Sequence, residues 1–285
     1  MSFPLESESA ALPLSDDKNA RLWDVASGKC VSELTHDGAV VKFEVSPDGS
    51  RIASVSEEKK VRLWDASSGA AIATLKGASF AVFSAIGTRI ATVSDEFTAH
   101  LWDGATGREI APLTGHHELV YAAVFNSDGT RLATASNDNT TRLWDAVSGR
   151  LVAVLLGGLS TTFSPDGKRL ITATQDGTAR LWDSASGRAL VMLVGHNLYV
   201  TSAAFSVDGK RIVTGSGDKT ARIWDASTIP KGNILEVACS LLRLHENPIS
   251  LLGVTDYPLT FDRPVCITDP PAPEPLRAAE AKAAQ

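Results

Sequence analysis

The 285 residues carry 27 Lys and Arg against 33 Asp and Glu, a net charge of −6, with 44% hydrophobic and 21% charged residues. That balance is ordinary for a soluble globular chain, and its sign supplies no electrostatic drive toward nucleic acid or an anionic membrane. Three cysteines (Cys30, Cys239 and Cys266) are too few for a disulfide framework in a chain of this length.

The first 17 residues lack a basic stretch followed by an apolar one, the pattern of a secretory signal. Residues 1–14 are expected to form a separate segment adding at most a partial strand. The longest apolar stretch, near Leu151–Leu159, contains two glycines and is too short to span a bilayer. A cytoplasmic protein is the expectation.

From residue 15 onward the chain repeats. Trp-Asp pairs stand at Trp23-Asp24, Trp64-Asp65, Trp102-Asp103, Trp144-Asp145, Trp182-Asp183 and Trp224-Asp225, at spacings of 41, 38, 42, 38 and 42 residues. A Gly lies fifteen residues before each of the last five tryptophans (Gly49, Gly87, Gly129, Gly167, Gly209), where a tight hairpin needs positive φ. A second Gly follows each of the first five tryptophans by five residues (Gly28, Gly69, Gly107, Gly149, Gly187) and marks the next turn. Segments rich in Val, Ile, Leu, Thr and Trp between these turns, such as Leu170–Ala173 and Ala179–Trp182, predict short strands. Each unit then holds four strands in the order d, a, b, c, and Trp closes strand c.

Over residues 15–226 these units resemble the WD-repeat family. The resemblance implies an all-β fold, a β-propeller of five complete four-stranded blades plus one partial N-terminal blade. The first unit lacks strand a and its turn, because only about twenty residues precede Trp23. Three arrangements stay open: a six-bladed ring with one thin blade, an incomplete piece of a larger propeller, and a seven-bladed ring with a degenerate blade in 227–262. Residues 232–268 are expected to form a C-terminal extension, either a short helix or a degenerate blade. The Pro- and Ala-rich residues 269–285 are expected to be disordered. The run Asn233–Cys239 resembles the extension of bacterial WD-repeat proteins, whose propellers are joined to signalling NTPase-like modules.

His36, His116 and His196 recur every 80 residues, so blades alternate between long units with Gly-His or Thr-His and short units without His at that place. We take this as growth by duplication of blade pairs. His, Ser and Asp in this register suggest a nucleophilic triad. The resemblance implies instead a structural network: His36, Ser56 and Trp64, then His116, Ser136, Asp138 and Trp144, then His196, Ser216, Asp218 and Trp224. Repetition favours the network, since a catalytic site has no reason to recur in alternate blades. In the short blades only Ser94, Glu96 and Trp102, and Thr174, Asp176 and Trp182, are kept, so those blades are expected to be less rigid. Arg21, Arg62, Arg142, Arg180 and Arg222 precede each Trp by two, with His100 once in their place, and are expected to form a solvated or salt-bridged face rather than a basic ring.

His116-His117 lacks the ligand spacing of a metal site, and no phosphate-binding Gly loop is present. No catalytic residue, metal or cofactor is therefore assigned. What remains is a scaffold whose d–a and b–c loops meet on one face. Phe97, His117, Glu118, Tyr121, Asn197, Leu198 and Tyr199 depart from the repeat there and are the candidate contacts for a protein or peptide partner. Tyr121 and Tyr199 are equally compatible with packing between blades. No nucleic-acid or membrane partner is expected, and an open propeller edge offers a site for self-association.

Overall fold

The computed structural model describes residues 18–23, 26–76, 79–94 and 96–227. The expectations for residues 1–14, 232–268 and 269–285 lie outside the described residues, as do Cys239 and Cys266. The chain divides into two compact units, Met1–Lys231 and Gly232–Gln285, and only the first contains described residues.

All the described secondary structure is antiparallel sheet. The first sheet pairs β1 (Asn19–Trp23) with β2 (Cys30–Thr35). The next two contain β3 (Val40–Val45), β4 (Arg51–Ser56), β5 (Val61–Asp65) and β6 (Ala71–Leu75), then β7 (Phe80–Phe83), β8 (Arg89–Val93), β9 (Ala99–Asp103) and β10 (Glu109–Leu113). They are followed by β11 (Val120–Phe125), β12 (Arg131–Ser136), β13 (Thr140–Asp145) and β14 (Leu151–Leu156). The fourth four-stranded sheet has β15 (Ser160–Phe163), β16 (Arg169–Ala173), β17 (Thr178–Asp183) and β18 (Ala189–Val194). The last comprises β19 (Val200–Phe205), β20 (Arg211–Ser216) and β21 (Ala221–Asp225).

All five d-a-b-c units of the sequence are present, but each d strand hydrogen-bonds to strand c of the unit before it. The sheet boundary therefore falls one strand away from the repeat boundary. Among the described residues four blades are four-stranded rather than five, the last has three strands, and the N-terminal partial blade consists of strands c and d.

Turn chemistry follows the sequence. Gly49 sits at φ 71° and Gly69 at φ 68°, each closing a turn through its amide, to the Ser46 carbonyl (2.8 Å) and the Asp65 carbonyl (2.8 Å). Position five before each Trp is left-handed as well, at Lys18, Lys59, Phe97, Asn139, Gly177 and Lys219. The Trp-Asp carboxylates serve as turn residues: Asp145 accepts from the Ser148 amide and hydroxyl on one oxygen and pairs with Arg131 at 2.9 Å on the other.

Every internal blade is covered on both faces. Ala53, Val55, Val61 and Leu63 of one blade meet Ala81, Phe83, Ile90 and Trp102 of the next, and Ala133 and Leu143 meet Leu170 and Trp182 in the same way. Strand b is consequently buried on both sides: in β4 every residue after Arg51 is buried, and in β12 every residue after Arg131. Burying one such Leu contributes about 2 kcal/mol. Successive blades touch through their a strands, β3 with β7, β7 with β11, β11 with β15 and β15 with β19. The a strands thus converge on the inner side and the d strands splay outward.

Candidate functional site

The histidine networks form, with a different hydroxyl from the expected one. His116 Nε2 lies 2.9 Å from Thr134 Oγ1, and the Trp144 indole N–H donates to that same oxygen at 2.9 Å. His116 Nδ1 lies 2.9 Å from Asp138 Oδ2. His196, Thr214, Trp224 and Asp218 repeat these contacts, each at 2.9 Å. In the first complete blade His36 Nε2 and the Trp64 indole both meet Ser54 Oγ at 2.6 Å. The expected Ser56, Ser136 and Ser216 are not members. Ser136 Oγ instead donates to the Glu118 carbonyl (3.0 Å) and accepts the Asp138 amide (3.1 Å), and Ser216 Oγ bonds the Leu198 and Tyr199 carbonyls.

The error is one of register. A hydroxyl residue stands both eight and ten residues before every tryptophan from Trp64 onward, and both positions share one face of strand b. Strand pairing decides between them. Leu132 lies opposite Trp144 and Thr134 opposite Arg142, which puts the Thr134 hydroxyl diagonally beside the indole. The short blades use the same position: the Trp102 indole donates to Thr92 Oγ1 and the Trp182 indole to Thr172 Oγ1. There the threonine hydroxyl donates to a main-chain carbonyl, Lys76 (2.5 Å) or Leu156 (2.7 Å), in place of histidine.

Electrostatics fix the direction of the network. Burial pushes the His116 imidazole below its ordinary pKa although Asp138 pulls the other way, so the ring is neutral near pH 7. Burial alone would raise Asp138; bonds from Thr140, His116 and the His117 amide outweigh it and hold the carboxyl well below the usual range. Nδ1–H therefore donates to Asp138, and Nε2 accepts from the threonine hydroxyl that itself accepts the indole N–H. The first blade departs from this. Glu58 pairs with Lys60 (3.3 Å) and does not reach His36, whose Nδ1 is buried without a partner. Burial and then the Arg62 charge lower His36 to about 4.

A hydroxyl, an imidazole and a carboxylate in line have the form of a nucleophilic triad. Thr134 is 0% exposed, however, and its oxygen already holds an indole proton. Nothing from solvent reaches it. The arrangement satisfies four buried polar side chains and ties the d–a loop to the b–c turn.

The residues two before each Trp are ion-paired in three cases, Arg21 with Glu33, Arg62 with Asp37 and Arg180 with Asp176, and His100 Nδ1 lies 2.7 Å from Glu109 Oε1. Arg142 instead donates to the Gly115 carbonyl at 2.6 Å.

On the loop face, Phe97, Leu198 and Tyr199 are exposed, at 45%, 51% and 48%. Phe97 is held left-handed, at φ 62°, a conformation that costs a bulky side chain about 1–2 kcal/mol. The Tyr199 ring lies on Gly217, with ring carbons 2.5–2.8 Å from where a Cβ would stand, so a larger residue there would push the ring aside. His117 and Asn197 are exposed and place their amides on Asp138 (3.1 Å) and Asp218 (3.0 Å), and Glu118 is exposed beside them. Tyr121 does not join this group. It is half-buried in β11, with a hydroxyl out of solvent, and it lines an inner cavity. Leu119, 38% exposed and 80 residues before Tyr199, belongs to the face and was missed; the 80-residue period was the signal for it. Among the described residues no group of three or more His, Cys, Asp and Glu side chains has a metal-holding arrangement.

A family model described as WD domain, G-beta repeat matches residues 28–65, 107–145, 156–183 and 187–225, just over half of the chain. The chain belongs to the WD-repeat family. No match was found among curated proteins. WD-repeat propellers generally act as non-catalytic scaffolds for protein–protein interaction. In this WD-repeat protein the segment 66–106 falls outside the matches. It carries both departures noted above, Phe97 in the left-handed turn and His100 in place of Arg.

Proposed function

We propose that this protein is a scaffold that holds a protein or peptide partner on the face formed by its d–a and b–c loops. The observation that carries this is the exposed set of Phe97, Leu119, Leu198 and Tyr199, the last three on loops tied down by the His116 and His196 networks. Aromatic and aliphatic groups fixed before binding lose little entropy on contact, which suits them as anchors. The Asn233–Cys239 run supports placing the chain in bacterial signalling, as a recruiting or sensing part, and the low cysteine content supports a cytoplasmic setting. The net charge of −6 supports a protein rather than a nucleic acid or membrane partner.

The test is photo-crosslinking in cells from a probe residue at Tyr199 or Phe97, with Val207 as control. Val207 is 96% exposed in an a–b turn, at the other end of the strands. Adducts formed from Tyr199 and Phe97, absent from Val207 and lost in Leu198→Ala, are expected. Equal adducts from Val207 would remove the proposed face.

A second reading, completion of the open end by another chain, is favoured by one observation. Val213 and Ile223 of the last blade are 45% and 72% exposed, whereas the equivalent Ala133 and Leu143 are 0% exposed beneath the following blade.

A further inference from the structure

Three blades line an open-mouthed cavity of about 610 Å³ where β3, β7 and β11 converge on the inner side. Its wall is mostly apolar, with Phe43, Phe80 and Val82, and it carries three polar groups, Lys42, Glu44 and Tyr121. Blade construction does not account for these. Lys42 and Glu44 are the only charged residues in the a strands 40–45, 80–83, 120–125, 160–163 and 200–205, and the corresponding stretches of β15 and β19 carry Ser, Thr and Ala.

Two of the three polar groups lack partners. The Tyr121 hydroxyl is buried without a hydrogen bond. The half-buried Glu44 side chain makes no hydrogen bond or ion pair among the described residues, and burial raises its pKa. An unpaired buried acceptor is costly, so such a group gains from a donor brought by a ligand. Lys42 shows which kind of donor the cavity accepts: its Nζ lies 5.8 Å from the centroid of the Phe80 ring, in cation–π range.

We propose that this cavity binds a small organic ammonium with an apolar body, its N–H donors on the Glu44 carboxylate and the Tyr121 oxygen. The apolar part lies against Phe43 and Val82. The volume is that of a small-molecule site, largely apolar with a few polar groups that set orientation. Lys42 provides the opposing charge and limits affinity, so its removal strengthens binding. The site is separate from the loop face and does not depend on a protein partner there.

The full chain is titrated calorimetrically with 2-phenylethylammonium and, separately, with phenylacetate, which has a similar body and the opposite charge. Saturable binding of the ammonium alone is expected. Glu44→Gln should weaken it about tenfold, the loss of one charge-assisted hydrogen bond. Lys42→Met should tighten it, and Tyr121→Phe should weaken it a few-fold. Unchanged unfolding midpoints for the three variants would show that the fold is intact. Binding should also weaken as pH falls and Glu44 takes a proton. Absence of saturable ammonium binding, equal binding of phenylacetate, or full affinity in a folded Glu44→Gln protein each overturns the proposal.

Discussion

At the scale of single residues, the blade is held by one hydroxyl oxygen that serves two partners. Thr134→Val keeps the shape of the side chain and leaves both the Trp144 N–H and the His116 Nε2 unpaired in a buried site. A loss of about 2–4 kcal/mol in chemical denaturation is expected, against about 1 kcal/mol for Ser136→Ala, which braces only the turn. Equal losses would return Ser136 to the network. His36 supplies a pH effect. Its folded pKa of about 4 lies below the ordinary 6.5, so the unfolded chain binds the proton more readily. Its contribution is complete above 6.5 and is lost as pH falls toward 4, by up to about 3 kcal/mol. His36→Gln should flatten that part of the stability–pH curve relative to wild type, and an unchanged slope would show that His36 is not its source.

At the scale of the blade, long and short units differ less than their sequences suggest. The short blades lack the d–a loop histidine, yet Ile90 and Leu170 are as fully buried as Ile52 and Leu132. Their Trp–Thr pairs end on main-chain carbonyls, which no side-chain pattern announces. The expected loss of rigidity should therefore appear in the d–a loops and not in the sheets. Hydrogen exchange should find β8 and β16 as protected as β12. Asp138→Asn should speed exchange at His117 while leaving the short blades unchanged. Faster exchange through β8 and β16 in the wild-type chain would count against this.

For the whole molecule, the offset between repeat and sheet governs the ends. Each d strand completes the preceding blade, so the described chain begins with c and d strands and ends with an a-b-c sheet. The last sheet exposes Ile223 at 72%, where its counterparts Leu63, Leu101, Leu143 and Leu181 are at 0%. If a second copy covers that face, sedimentation velocity will show concentration-dependent association that Ile223→Asp abolishes. A wild-type monomer at every concentration would eliminate self-association through this end.

The Trp-Asp period and the glycine turns were enough to determine strand number, strand order and the family, because turn geometry and alternating burial act locally and leave marks at fixed spacing. The histidines and the aspartates of the networks were legible for the same reason. Three features were decided only by tertiary structure. Two hydroxyls two residues apart in a strand look alike until the neighbouring strand sets which one meets the indole. A d strand carries no label saying which blade it will complete. The inner cavity with Lys42, Glu44, Phe80 and Tyr121 depends on residues about forty and eighty positions apart, brought together only when the a strands converge.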